Sequence, residues 1–241
     1  MKTIVQFASC RTRRCINTTT KYLRKQHNID LESYNYLAMA YPCLAELEAA
    51  INSCFTYKFG YRESISAVLI ELCTTNYITR VKEYGSLDEC SVKLEQEQFN
   101  QYIASLLSKI PDDLPVIWIS AHNVRLSDEH YTQICQDIDS NNVKTGGWLA
   151  HAPQLGEIRE SKFIDQQFIA RVQAEQWLEN SLEHCPRSVY IKTSDCFRDR
   201  DSSFCFKKSG NNTVDTYHYT GQAISLLGEY IYPQIKNFFI S

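Results

Sequence analysis

Two short segments at opposite ends of the chain hold residue types that can do covalent chemistry. Near the C-terminus runs Asp215-Thr216-Tyr217-His218, followed by Tyr219-Thr220-Gly221-Gln222. An Asp three residues before a His, in a loop entering a helix, can set its carboxylate beside the imidazole. The carboxylate then fixes the tautomer and stabilises the charged ring while the His works as a general base. An Asp closing a turn beside a solvated His is the plain alternative. Near the N-terminus, Ala8-Ser9-Cys10-Arg11 follows an apolar run and opens a helical stretch. A nucleophile at the C-terminal edge of a first strand gains the partial positive charge of the following helix. Arg11, Arg13 and Arg14 add to a field that favours thiolate. Cys10 is therefore a candidate nucleophile. A register shift of one residue gives that role to Ser9 instead, and a capping Ser9 beside a packed Cys10 is the structural alternative.

Taken together, the two ends resemble the SGNH (GDSL-like) hydrolase superfamily, whose chains open with a strand and a Gly-Asp-Ser turn and finish with an Asp-x-x-His loop before the last helix. Asp215 and His218 occupy the C-terminal pattern. At the N-terminal turn, Ala8, Ser9 and Cys10 stand where the Gly, Asp and Ser would be. This is similar to divergent bacterial branches with a cysteine at that turn, some linked to polysaccharide biosynthesis and acyl transfer. The resemblance implies a Cys/Ser-His-Asp triad that acts on an ester or thioester, as an esterase or O-acyltransferase. The substrate it implies is a small molecule or a saccharide. It also implies an oxyanion hole with an Asn donor, for which Asn76 (after the third apolar run) and Asn123 (in Ala121-His122-Asn123) are the two candidates. No glycine stands between Ala38 and Pro42, where a second donor belongs, so a catalytically inactive binding or scaffold protein is the alternative.

Positioning two chain ends at one point requires an ordered scaffold, and the apolar pattern supplies one. Short β-rich runs are expected as strands at Thr3–Ala8, Tyr34–Ala40, Ser66–Leu72, Pro115–Ser120 and Ser188–Thr193. They alternate with stretches at helical spacing: Leu44, Leu47, Ile51 and Cys54; Phe99, Ile103, Leu106 and Ile110; Phe168, Val172, Leu178 and Leu182; and Ile224, Leu227 and Ile231. Thr220 is the expected N-cap of the last helix. Alternating strands and helices predict an α/β fold. The expected form is a three-layer, flavodoxin-like domain over residues 1–241, with about five parallel strands and helices on both faces. Residues 141–161 and 196–214 lack periodicity and are expected as loops.

The composition excludes several other functions. A net charge of −3, from 25 basic and 28 acidic residues, provides no global field for nucleic acid or an anionic membrane. Arg11, Arg13, Arg14, Lys21, Arg24 and Lys25 form a local basic cluster. It reads either as a solvated helix face or as a grip for a phosphorylated acyl donor such as acyl-CoA. No cofactor is required. No run is long enough to span a bilayer and no signal-peptide pattern opens the chain, so a cytoplasmic protein is expected. The ten cysteines include no CxxC pair and are expected mostly as small buried side chains. His122 and His130 lack metal-site spacing, so no metal is expected. The sequence carries no Gly-rich nucleotide loop.

Overall fold

The computed structural model describes residues 2–8, 10–37, 44–56, 64–72, 96–120, 175–197, 206–208 and 214–240. Within them the elements are β1 (Lys2–Phe7), α1 (Cys10–His27), β2 (Leu31–Leu37), α2 (Leu44–Thr56), β3 (Ile65–Leu72), α3 (Gln96–Ser108) and β4 (Val116–Ser120). There follow a helical segment α4 (residues 175–182), β5 (Ser188–Ile191), α5 (Thr193–Phe197), β6 (Phe206–Lys208), β7 (Val214–Tyr219), α6 (Gly221–Ile235) and α7 (Asn237–Ile240).

β1 to β5 form a single sheet in the order β2-β1-β3-β4-β5, and each neighbouring pair is parallel. The five expected strands are all present, and the architecture is the expected three-layer α/β fold. Strands covered on both faces must be largely apolar on both faces, which is why β3 and β4 read as near-continuous hydrophobic runs. Alternation along β4 divides the core in two. Val116 and Trp118 pack with Leu47, Ile51, Phe99, Ile103 and Leu178 from α2, α3 and α4. Ile117 and Ile119 pack with Ile16, Leu23, Leu227 and Ile231 from α1 and α6 on the opposite face. For the described side chains, the helical spacing noted for each stripe is thus its core face; the side chain of Leu44 lies outside the description. Of the run Phe168 to Leu182, the described part supplies Trp177, Leu178 and Leu182 to the core; Phe168 and Val172 lie outside the described residues.

β2 starts at Leu31, three residues earlier than expected, and is described as far as Leu37; residues 38–40 of the expected run lie outside the described residues. Its first residue pairs with Lys2, so the chain enters the sheet directly after the turn at Asn28, whose φ is 53°. Asn tolerates that left-handed conformation better than most non-glycine residues. β5 ends at Ile191, two residues before the expected end, and α5 follows from Thr193 and overlaps the segment 196–214 expected as a loop by its last two residues; β6 falls within that segment and forms with β7 a separate antiparallel pair.

α1 and α6 lie side by side, and small residues set their spacing. A Cβ on Gly228 would stand 2.8 Å from the Cβ and Cγ2 of Thr18. The Thr19 hydroxyl, 3.1 Å from both Cys15 O and Gly228 O, ties the two backbones. Gly228→Ala gains about 1 kcal/mol in helix propensity but wedges the helices apart at a cost of about 1–3 kcal/mol. We expect a net loss of stability, read as a lower urea midpoint at unchanged m-value. A variant as stable as the parent would mean that this contact yields freely.

Candidate functional site

The strand order determines where a crevice opens. From β1 the chain crosses through α1 to β2 on one side, and then through α2 to β3 on the other side of β1. The connections after β1 and β3 therefore diverge, and in open parallel sheets ligands bind at that divergence, beyond the C-terminal ends of the strands. Ala8 is buried there, and α1 begins at Cys10. Four backbone N–H groups at a helix start have no intrahelical partner, and the first turn of α1 holds no acidic residue to offset their positive end.

The α1–α6 pairing brings the other end of the chain to the same place. Contacts advance together along both helices: Thr18 with Gly228, the Tyr22 hydroxyl donating to Glu229, and the His27 ring stacked on Tyr232. The hydrogen bond to Glu229, reinforced by desolvation and by the carboxylate charge, raises the Tyr22 pKa. The helices therefore run in the same direction. About two turns back from Thr18 and from Gly228 lie the starts of α1 and α6, at Cys10 and Gly221. Thr220 caps α6 as expected, its hydroxyl accepting from Ala223 N at 3.1 Å. Immediately before it runs β7, which packs against both α1 and α6.

Asp215 and His218 are positions of β7 itself, not of a loop. The segment Val214-Asp215-Thr216-Tyr217-His218-Tyr219 is rich in β-branched and aromatic residues, and β6 offers it a pairing partner, with Lys207 opposite Asp215. The expected loop is thus a strand, and a single residue, Thr220, joins it to α6. Cys10 and Arg11 are placed as the first two residues of α1; their side chains lie outside the description, as do those of Asp215 and His218. Ser9, Asn76 and Asn123 lie outside the described residues, as do His122 and His130.

Polar residues that the motif reading did not single out are buried beneath this edge. Gln6 and Glu71, at 0% and 4% exposure, occupy neighbouring strands β1 and β3. Alternation puts Gln6 on the face of Ile4 and Ala8, and Glu71 on that of Ala67 and Leu69, which is the side covered by α1 and α6. Thr12 in the first turn of α1 and Thr193 just beyond β5 are buried as well. One signal was available in the sequence: a carboxylate near the end of the otherwise apolar strand Ser66-Ala67-Val68-Leu69-Ile70-Glu71-Leu72. Among the described residues, no group of three metal-ligating side chains occurs and no helix is long and apolar enough to cross a membrane.

The described cysteines separate by environment. Cys15 and Cys54 are buried, while Cys185 and Cys196 are half-buried. Burial on the core side of α2 raises the Cys54 thiol from 9.0 to about 11. A raised thiol pKa means that the folded state holds its proton more tightly. The stability from this neutral thiol is whole below pH 9 and is lost as pH rises toward 11. Native-state alkylation at pH 8 should leave Cys54 unmodified, with labelling appearing as the pH approaches 11. Rapid labelling at pH 8 would contradict its burial.

No family model matches the chain, and no curated protein matches it in sequence. Among solved structures, it is similar to the C-terminal catalytic domain of peptidoglycan O-acetyltransferase A from Streptococcus pneumoniae, determined with a methylsulfonyl adduct. The TM-score is 0.44 at 8% identity, over 98% of this chain and 93% of that one. A likeness at this distance assigns no role to any residue.

Proposed function

We propose that this chain performs acyl-group chemistry, as an esterase or an O-acyltransferase, at the crevice beyond β1 and β3. The observation that carries the reading is the convergence of two chain ends. The start of α1, with Cys10, and the β7–α6 junction, with His218, come to the same edge of the sheet, at its topological switch point.

In this reading the Cys10 thiol, or the Ser9 hydroxyl, gives its proton to His218 and attacks the carbonyl carbon of an ester or thioester. Asp215 orients the ring and stabilises its charged form. The tetrahedral oxyanion is met by amides of the α1 N-terminus and by the side chain of Asn76 or Asn123. Collapse expels the alcohol or thiol, which takes the proton back from His218, and leaves the acyl group on the enzyme. Water or a saccharide hydroxyl then gives up its proton to His218, attacks the acyl carbon and restores the nucleophile. Acyl-CoA is a suitable donor substrate, and the cycle needs no cofactor.

The test is active-site labelling mapped by mass spectrometry. Iodoacetamide at pH 8 should modify Cys10 rapidly while sparing Cys54, or an acyl-fluorophosphonate should modify Ser9. His218→Ala should suppress that reaction. Inertness of both residues would instead favour a binding protein that keeps the fold, a reading supported by Ala8 at the turn where the superfamily places glycine.

A further inference from the structure

The exposed face of α1 shows an arrangement that the chemistry above leaves unused. Arg13, Arg14, Lys21, Arg24 and Lys25 are all exposed. At 3.6 residues per turn they fall within about a third of the helix circumference and cover roughly 18 Å of its length. The 18 residues of α1 include no Asp or Glu. None of the five cations forms an ion pair with a described residue. Other basic side chains in the described residues do find partners: Lys109 with Glu48, Arg187 with Asp112, Lys192 with Glu179, and Lys2 with the Phe239 carbonyl. Like charges three and four residues apart, such as Lys21 with Arg24 and Lys25, also destabilise a helix by a few tenths of a kcal/mol each. Arg24 and Lys25, in the last turn, meet the favourable end of the helix dipole, whereas Arg13 and Arg14 near the start do not, and the whole row stands on a chain whose net charge is −3.

Cys10 is the N-terminal position of the same row, four residues before Arg14 and seven before Asn17. We propose that this face docks an acidic helix of a carrier protein and brings the acyl thioester it bears to the Cys10 end of α1. The proposal rests on the acyl-chemistry reading above for what happens after docking. Three features favour an acidic helix. The row is straight and about three turns long, it lies on a helix, and it contains no aromatic side chain on which a base or sugar ring would stack. A charge-only surface of this size suits a brief encounter steered by electrostatics rather than a permanent interface. After docking, the Cys10 sulfur bonds to the thioester carbonyl carbon, the carbon–sulfur bond to the carrier breaks, and the carrier thiolate takes the proton that His218 had accepted.

The experiment compares the full chain with a Lys21→Glu/Arg24→Glu/Lys25→Glu variant, changed only at exposed positions distant from Cys10. The binding probe is a purified acyl carrier protein loaded with an acetyl thioester, titrated by fluorescence anisotropy. We expect binding to weaken at least about tenfold in the variant, and the parent's binding to weaken as salt rises. A Gln triple variant should fall between the two. Equal binding by parent and variant would overturn the proposal, as would tighter binding of heparin or of a single-stranded oligonucleotide than of the carrier. Transfer from acetyl-N-acetylcysteamine, which has no acidic helix, should be unchanged in the variant. Failure of the parent to turn over this small donor, with carrier binding intact, would count against the acyl chemistry alone.

Discussion

His218→Ala is expected to lower turnover of an activated ester such as p-nitrophenyl acetate by roughly 10⁴-fold, with a much smaller change in KM. The imidazole is assigned the proton in both half-reactions, so its loss removes stabilisation made only in the transition state. Binding and oxyanion contacts remain and leave a residual rate above water. Asp215→Asn should cost less than this, because it perturbs the orientation and charge of a ring that is still present. In combination the two losses should be far from additive, as members of one proton-transfer unit are. His218 belongs to β7, whose partner β6 and neighbours α1 and α6 constrain it. The melting temperature of His218→Ala therefore has to be measured beside its kinetics. A stable variant that keeps more than a tenth of the parent rate would remove His218 from the mechanism.

Trp118→Ala should be among the most destabilising single changes in the sheet. Trp118 is fully buried at the middle of β4, between β3 and β5, and its ring packs with the α2, α3 and α4 side of the core. Its indole nitrogen donates to the Ser188 hydroxyl at 3.3 Å, linking β4 to β5 through a side chain as well as through the ladder. Truncation to Ala removes that contact and leaves a cavity that a close-packed sheet collapses into only partly. The cost is about 3–5 kcal/mol, or roughly 10 °C in melting temperature for a domain of this size. Trp118→Phe should recover much of the loss but not the hydrogen bond, which separates the two contributions. A change below about 1 kcal/mol for Trp118→Ala would show that this layer repacks easily.

The framework was legible because its signals are local. The runs in β3 and β4 are largely apolar on both faces, a pattern expected of a sheet covered on both sides, and the helical stripes at Leu47 to Cys54 and Phe99 to Ile110 report the faces that cover it. The N-cap at Thr220 was legible for the same reason, since the hydroxyl and the amide it satisfies are three residues apart. The start of β2 at Leu31 was harder to read, because Leu31-Glu32-Ser33 looks like a polar turn. Pairing with Lys2, Thr3 and Ile4 outweighs that local preference.

The chemistry-bearing residues divide along the same line. Their types and their spacing along the chain, Cys10 after the first strand and Asp215 three before His218, are written in the polypeptide and can be read without coordinates. So is the potential of the α1 row, since the helical period alone collects its cations on one side. That α1 and α6 run side by side in the same direction is a different kind of fact. It depends on Gly228 admitting Thr18, on Thr19 bridging to a carbonyl 209 positions away, and on a strand order that places β1 beside both β2 and β3. The conversion of the Asp215–His218 segment from an expected loop into β7 is more local, since its partner β6 ends at Lys208, only a few positions before Val214; what the tertiary structure adds is the packing of β7 against α1 and α6. Short-range preference acts over a few residues, whereas meetings across two hundred are selected by which packing of the whole sheet buries most apolar surface.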